Sequence, residues 1–216
     1  MGRYLVPYAM DPQGLELFRP YRRLLFVSDG TNYPLPAGRD RPQPTVADMV
    51  GHAYPDKRIV RTDFLTRAEA VDAALKPANV TFKRVDNGRF PLPFRDSSRD
   101  FIGMGRGLCL CEVDAYPKAL PSKDRSCGGI VMAEDTATRF VGEVARILDT
   151  SKPGSLALLH GLQDVRLAPF WGKVTRRVMS EHPVEIKVLM VKLDTPIDTP
   201  AHTYEDVMIG LQLRPR

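Results

Sequence analysis

Short apolar runs alternate along this chain with segments of helical periodicity, and that alternation limits the folds open to it more than any other feature. Arg23-Leu24-Leu25-Phe26-Val27-Ser28 is an apolar run closed by Asp29-Gly30, the pattern of a buried strand entering a turn. Thr45 is placed to cap a helix through Val46–Val50, which ends before Pro55. Arg58–Thr62 is a second strand closed by Asp63, and Thr66–Leu75 a second helix with Ala68, Val71, Ala74 and Leu75 at helical spacing. Val80–Val85 reads as a third strand ending at Asp86, and Asp100–Met104 as a fourth. Thr136–Leu148 is an amphipathic helix with Phe140, Val141, Val144, Ile147 and Leu148 on one face. Ser155–Leu159 is a fifth strand, apolar enough to be buried on both faces, and Val165–Ser180 a helix around Pro169 and Trp171. Strands alternating with helices imply an α/β fold, a mostly parallel sheet with helices on both faces. The last two strands, Glu185–Leu193 and Asp206–Leu213, have only a Pro/Thr turn between them. No crossover helix fits there, so they are expected to be neighbours with the final one reversed.

A length of 216 residues suits one domain, expected over 23–216 behind an N-terminal extension at 1–22. Hydrophobic residues at 43% and charged residues at 26% exclude a disordered chain. No apolar run approaches the roughly 20 residues that cross a bilayer. Pro7, Asp11 and Pro12 interrupt the N-terminus where a signal peptide would need an apolar core, so a cytoplasmic location is expected. Cys109, Cys111 and Cys127 are then reduced thiols. The net charge of +5 is scattered, with only the pairs Arg22-Arg23 and Arg176-Arg177, so nucleic acid is permitted as a partner without being favoured.

Two segments are more specific. The first comprises Asp86-Asn87-Gly88 and Leu92-Pro93-Phe94-Arg95-Asp96-Ser97-Ser98-Arg99-Asp100, and the second is Phe140–Leu159, FVGEVARILDTSKPGSLALL. Together they resemble the class I S-adenosylmethionine (SAM)-dependent methyltransferases. In that family a strand ends in Asp and a small residue, an L-P-F-x-D-x-S-F-D stretch follows, and a later helix reads F-L-x-E-x-x-R-V-L-K-P-G-G. Arg99 stands where the family usually has an aromatic residue. The resemblance covers residues 23–213. It implies a Rossmann-like methyltransferase fold of about seven strands with a C-terminal antiparallel hairpin. It also implies SAM as cofactor and methyl transfer to an oxygen, nitrogen or carbon nucleophile of a small-molecule substrate. The family's glycine-rich first motif is degenerate here: Ser28-Asp29-Gly30-Thr31-Asn32 holds one glycine and runs into Tyr33–Pro44, with four prolines.

The resemblance also implies a site at the carboxyl ends of the strands, where open α/β sheets bind ligands. Asp29, Gly30 and Thr31 would meet the cofactor in the first turn, leaving the proline-rich loop to swing aside. Asp63, beside Phe64, would accept the ribose hydroxyls, and Asp86 the adenine amino group with Asn87 alongside. Gly103 and Gly105 would let the ligand approach the fourth strand, while His160 and Arg106 form the catalytic pair, His160 as general base. Other uses stay open: an Asp after a strand often caps the next helix, and a strand-end His is often a hydrogen-bonded structural group. Cys109-x-Cys111 with Cys127 and His160 has a poor phase for shared ligation, so no metal site is expected. His52, His182 and His202 have no legible partners. Glu112–Arg125 is either a lid over the site or a surface loop. Besides an active small-molecule enzyme, the sequence allows an inactive methyltransferase-like partner protein and a nucleic-acid methyltransferase.

Overall fold

A computed structural model describes residues 12–27, 45–63, 76–85, 89–104, 134–159, 168–192, 198–199, 202–203 and 207–216. The strands are β1 (Arg23–Val27), β2 (Arg58–Asp63), β3 (Val80–Arg84), β4 (Phe101–Met104), β5 (Leu156–Leu159), β6 (Val184–Lys192), β7 (Asp198–Thr199), β8 (His202–Thr203) and β9 (Val207–Pro215). The helices among these residues are α1 (Pro12–Glu16), α2 (Val46–Ala53), α3 (Glu134–Ile147) and α4 (Ala168–Glu181). Seven strands form one sheet in the order β3-β2-β1-β4-β5-β9-β6, and β7 and β8 pair separately. β1 to β5 are parallel, while β9 lies antiparallel between β5 and β6. The expected α/β architecture and reversed late pair are therefore present, with β6 and β9 matched from Val184↔Pro215 to Lys192↔Val207. The helix expected at 66–75, the loop at 33–44 and the insertion at 112–125 lie outside the described residues.

The apolar runs lack strand-like alternation because both faces of the central strands are covered. The pleat divides each run between two cores. Leu25, Val27, Ile102, Met104, Ala157 and Leu159 face Phe140, Val141 and Val144 of α3 and Trp171, Val174 and Val178 of α4. Leu24, Phe26, Phe101, Leu156 and Leu158 face Val46, Ala47 and Val50 of α2. Phe18 and Tyr21 complete this second core, with ring centroids 5.1 and 5.0 Å from that of Phe101. Leu15, Leu17, Phe18 and Tyr21, within the stretch 1–22 expected as an N-terminal extension, thus pack into this core. Lys57 ties them down, its Nζ donating to the carbonyls of Arg19 (2.9 Å) and Tyr21 (2.6 Å).

β4 begins one residue later than expected because the residue before it, Asp100, is committed to the amino edge of the sheet. Its buried carboxylate accepts from the amides of Arg22 (3.0 Å) and Arg23 (2.7 Å) and from Lys152 Nζ (2.7 Å). Beside it Asp149 pairs with Arg23 at 2.5 Å and accepts from Ser151 Oγ at 2.6 Å. The starts of β1, β4 and β5 are thereby gathered around one carboxylate. Burial acts to raise the Asp100 carboxyl, but Lys152 and the two amides outweigh it and hold it below the usual carboxylate range. Such a group stabilises the fold above its unfolded pKa and loses that contribution as the pH falls through the folded one. We predict that Asp100→Asn lowers stability at pH 7 by about 2–4 kcal/mol. The parent should lose stability below about pH 4, with a shallower acid limb in the variant. Urea denaturation across pH checks this, and equal stability of the two proteins at pH 7 would contradict it.

Candidate cofactor-binding site

The parallel strands finish together at one edge. Val27, Met104 and Leu159 lie in one row across β1, β4 and β5, and Asp63 stands opposite Arg84 at the ends of β2 and β3. Strand order reverses between β1 and β4, since β1 leads outward to β2 and β3 whereas β4 leads to β5 on the other side. In a sheet of this kind the crevice above that reversal receives the ligand.

Two of the expected site residues are described. Asp63 is the last residue of β2. Gly103 lies inside β4, and a Cβ there would come within 2.9 Å of the Phe101 ring and 3.1 Å of the Phe26 ring. Packing of those rings accounts for the glycine without a ligand. Asp29, Gly30, Thr31, Phe64, Asp86, Asn87, Gly105, Arg106 and His160 lie outside the described residues, as do all three cysteines. Among the described residues no cluster of three metal-ligating side chains occurs, and no helix is long and apolar enough to cross a membrane.

α2 runs back along the sheet from this edge, because it follows β1 and precedes the start of β2. Thr45 caps it: the Asp48 amide donates to Thr45 Oγ1 (3.2 Å), and Asp48 Oδ2 accepts from the Thr45 amide (3.0 Å). Arg61 of β2 reaches the same turn, with one terminal nitrogen 3.2 Å from both Asp48 Oδ2 and Thr45 Oγ1. All three residues are buried. Sequence reasoning gave the Thr45 cap but missed Asp48 and Arg61. The available signal was Thr45-x-x-Asp48, which is capping-box spacing, together with a basic residue amid the apolar β2 run.

The path from β3 back to β4 is held from α3. Glu143 Oε2 accepts from the Leu92 amide (2.7 Å), and Arg146 donates to the carbonyls of Phe94 (2.8 Å) and Leu92 (3.1 Å) and to Asp96 (2.5 Å). Arg146 also bridges to Glu143 at 2.6 Å. In return the amides of Ser97, Ser98 and Arg99 donate to the carbonyls of Arg146 and Ile147 and so close the end of α3. The Leu92–Asp100 stretch and α3, both parts of the family resemblance, thus hold one another. Arg99, the departure from the family pattern, lays its guanidinium 5.7 Å from the Phe94 ring centroid.

No family model and no curated protein matches the chain by sequence. Solved structures do. SAM-bound CalS10, an amino pentose methyltransferase from Micromonospora echinaspora, is similar with a TM-score of 0.51 at 8% identity, covering 98% of this chain and 91% of that one. CurJ carbon methyltransferase is similar with a TM-score of 0.50 at 12% identity, covering 99% of this chain. The chain spans about half (54%) of the CurJ structure. The fold is thus the Rossmann-like fold of class I SAM-dependent methyltransferases.

Two outcomes follow from this geometry. Gly103→Ala should lower stability by about 1–3 kcal/mol by crowding Phe26 and Phe101. Unchanged thermal stability would return Gly103 to a purely ligand-facing role. Arg146→Met should cost roughly 2–3 kcal/mol by freeing the Leu92 and Phe94 carbonyls. Faster proteolysis near residues 90–98 would accompany the loss, and an unaltered cleavage pattern and melting point would contradict the clamp.

Proposed function

We propose that this chain is a SAM-dependent methyltransferase acting on a small molecule. The observation that carries the proposal is the sheet order, with reversed β9 between β5 and β6. CalS10 is described as SAM-bound and as an amino pentose methyltransferase, and CurJ as a carbon methyltransferase.

The first turn of α2 also supports a nucleoside cofactor over a dinucleotide. A dinucleotide places its pyrophosphate on the free amides of the helix after the first strand. Here that turn already holds its own carboxylate, Asp48, closed over by Arg61. The Thr45 and Asp48 amides are already taken by the cap itself, so they are not open to a pyrophosphate. SAM carries no phosphate and needs no such cradle.

SAM supplies an electrophilic methyl on a sulfonium, and the protein's task is to hold an acceptor in line with it. Asp63 would accept the ribose hydroxyls from the end of β2. Asp86 and Asn87 would take the adenine edge, and Asp29, Gly30 and Thr31 would line the turn after β1. His160, which follows Leu159 of β5 in sequence, would take the acceptor's proton, with Arg106 and Gly105 beside the reacting centre. A second reading has an observation of its own. The single glycine of Ser28–Asn32 favours a methyltransferase-like partner protein that has lost transfer activity.

Calorimetric titration with SAM separates these. The enzyme reading expects one site in the parent and a loss of at least about tenfold in Asp63→Ala, the value of a charged hydrogen bond to ribose. A parent that binds neither SAM nor its demethylated product, S-adenosylhomocysteine, would select the partner-protein reading. Asp63→Ala binding as tightly as the parent would remove Asp63 from the site.

A further inference from the structure

Arg61 and Asp48 form an ion pair sealed in an apolar layer, with side chains 2% and 3% exposed and a 3.2 Å separation. Asp48 lies on α2 between Ala47 and Val50, and Arg61 lies two residues beyond Ile59 on β2, all three of these apolar neighbours being core residues. Removing two charges from water offsets most of their attraction, and apolar residues of similar volume would hold such a layer as well. The pair therefore sets geometry more than it adds stability.

Three observations say which geometry. The Arg61 nitrogen is divided between Thr45 and Asp48, so it grips the first turn of α2. Its guanidinium also stands 5.8 Å from the Phe82 ring of β3, which holds it from the next strand. Position 61 precedes Asp63 by two residues on β2, and the strand period of two puts both positions on one side of the sheet. The pair thus couples the end of β2 to the cap of the helix that follows the first turn. Asp63, the residue proposed to meet the ribose, stands two positions from this lock.

We infer that the Arg61–Asp48 pair is a positioning device for ribose recognition, an inference that rests on the SAM-binding function proposed above. Two-point recognition of vicinal hydroxyls tolerates misplacement of only about 0.5 Å. The buried pair supplies that constraint in a chain whose first motif has one glycine. Neither residue touches the cofactor; both act through the end of β2.

The test replaces both partners at once, Arg61→Met with Asp48→Leu, so that both charges leave together. Thermal melting follows the fold, and calorimetry follows binding of S-adenosylhomocysteine, adenosine and 2′-deoxyadenosine. The melting temperature should stay within about 5 °C of the parent. Affinity for S-adenosylhomocysteine should fall at least about tenfold, and the parent's preference for adenosine over 2′-deoxyadenosine should disappear. Unchanged affinity overturns the inference and leaves the methyltransferase proposal standing. Weaker binding with an unchanged sugar preference also overturns it, because general loosening would then suffice. A parent that binds no S-adenosylhomocysteine overturns the SAM-binding function, and this role with it. Should the double variant not fold, Arg61→Lys keeps the charge but loses the planar fork. It is expected to give a smaller loss with the same sugar signature, and parental values for both would overturn the inference.

Discussion

The Asp100 carboxylate at the amino edge sets the level of the sheet's centre. It draws in the amides of Arg22 and Arg23 and the ammonium of Lys152, which bring β1, β4 and the approach to β5 to one place. Parallel strands of four or five residues that start level also end level, so Val27, Met104 and Leu159 share a row. Chemistry at the far edge depends on that alignment, because the loops that would carry a ligand all spring from this row and its neighbours. The polar investment sits about four residues from the site, where it can be satisfied without competing with a ligand.

A second constraint acts across the sheet. α3 holds the returning β3–β4 segment with Glu143 and Arg146, and that segment closes the open carbonyls of α3. Burial acts to raise the Glu143 carboxyl, yet Arg146 and the Leu92 amide outweigh it and hold the group below its usual range. Each element satisfies unpaired backbone groups of the other. β4 is thereby delivered beside β1, which creates the reversal of strand order on which the proposed site rests.

Much of this was legible in the residues, for identifiable reasons. β1, β4 and β5 are apolar on both faces, so their runs stand out without any alternation. The hairpin of β6 and β9 was readable because too little chain separates them for a helix. Phe18 and Tyr21 were missed because residues 12–22 have no period, and Pro12 and Pro20 break every pattern. Glu143 and Arg146 were visible as a family-like motif, but their grip on residues 92–96 spans about fifty positions and has no local signature. Arg61 looked like a polar position on a strand, since nothing local says that its partner lies thirteen residues back. The proposed ligand contacts were read from residues at or near strand ends, and of these the described structure includes Asp63 and Gly103. At Gly103 the rings of Phe26 and Phe101 crowd the Cβ position, a demand for glycine that sequence spacing cannot distinguish from ligand approach.

The central claim is that this scaffold presents a nucleoside site at the carboxyl edge where β1 meets β2 and β4. The most direct measurement is a crystal structure of the protein with S-adenosylhomocysteine. The account predicts the ribose against the end of β2 at Asp63, with the ligand spanning the crevice above Val27 and Met104. A ligand bound elsewhere, or a ribose with no contact to β2, would contradict it.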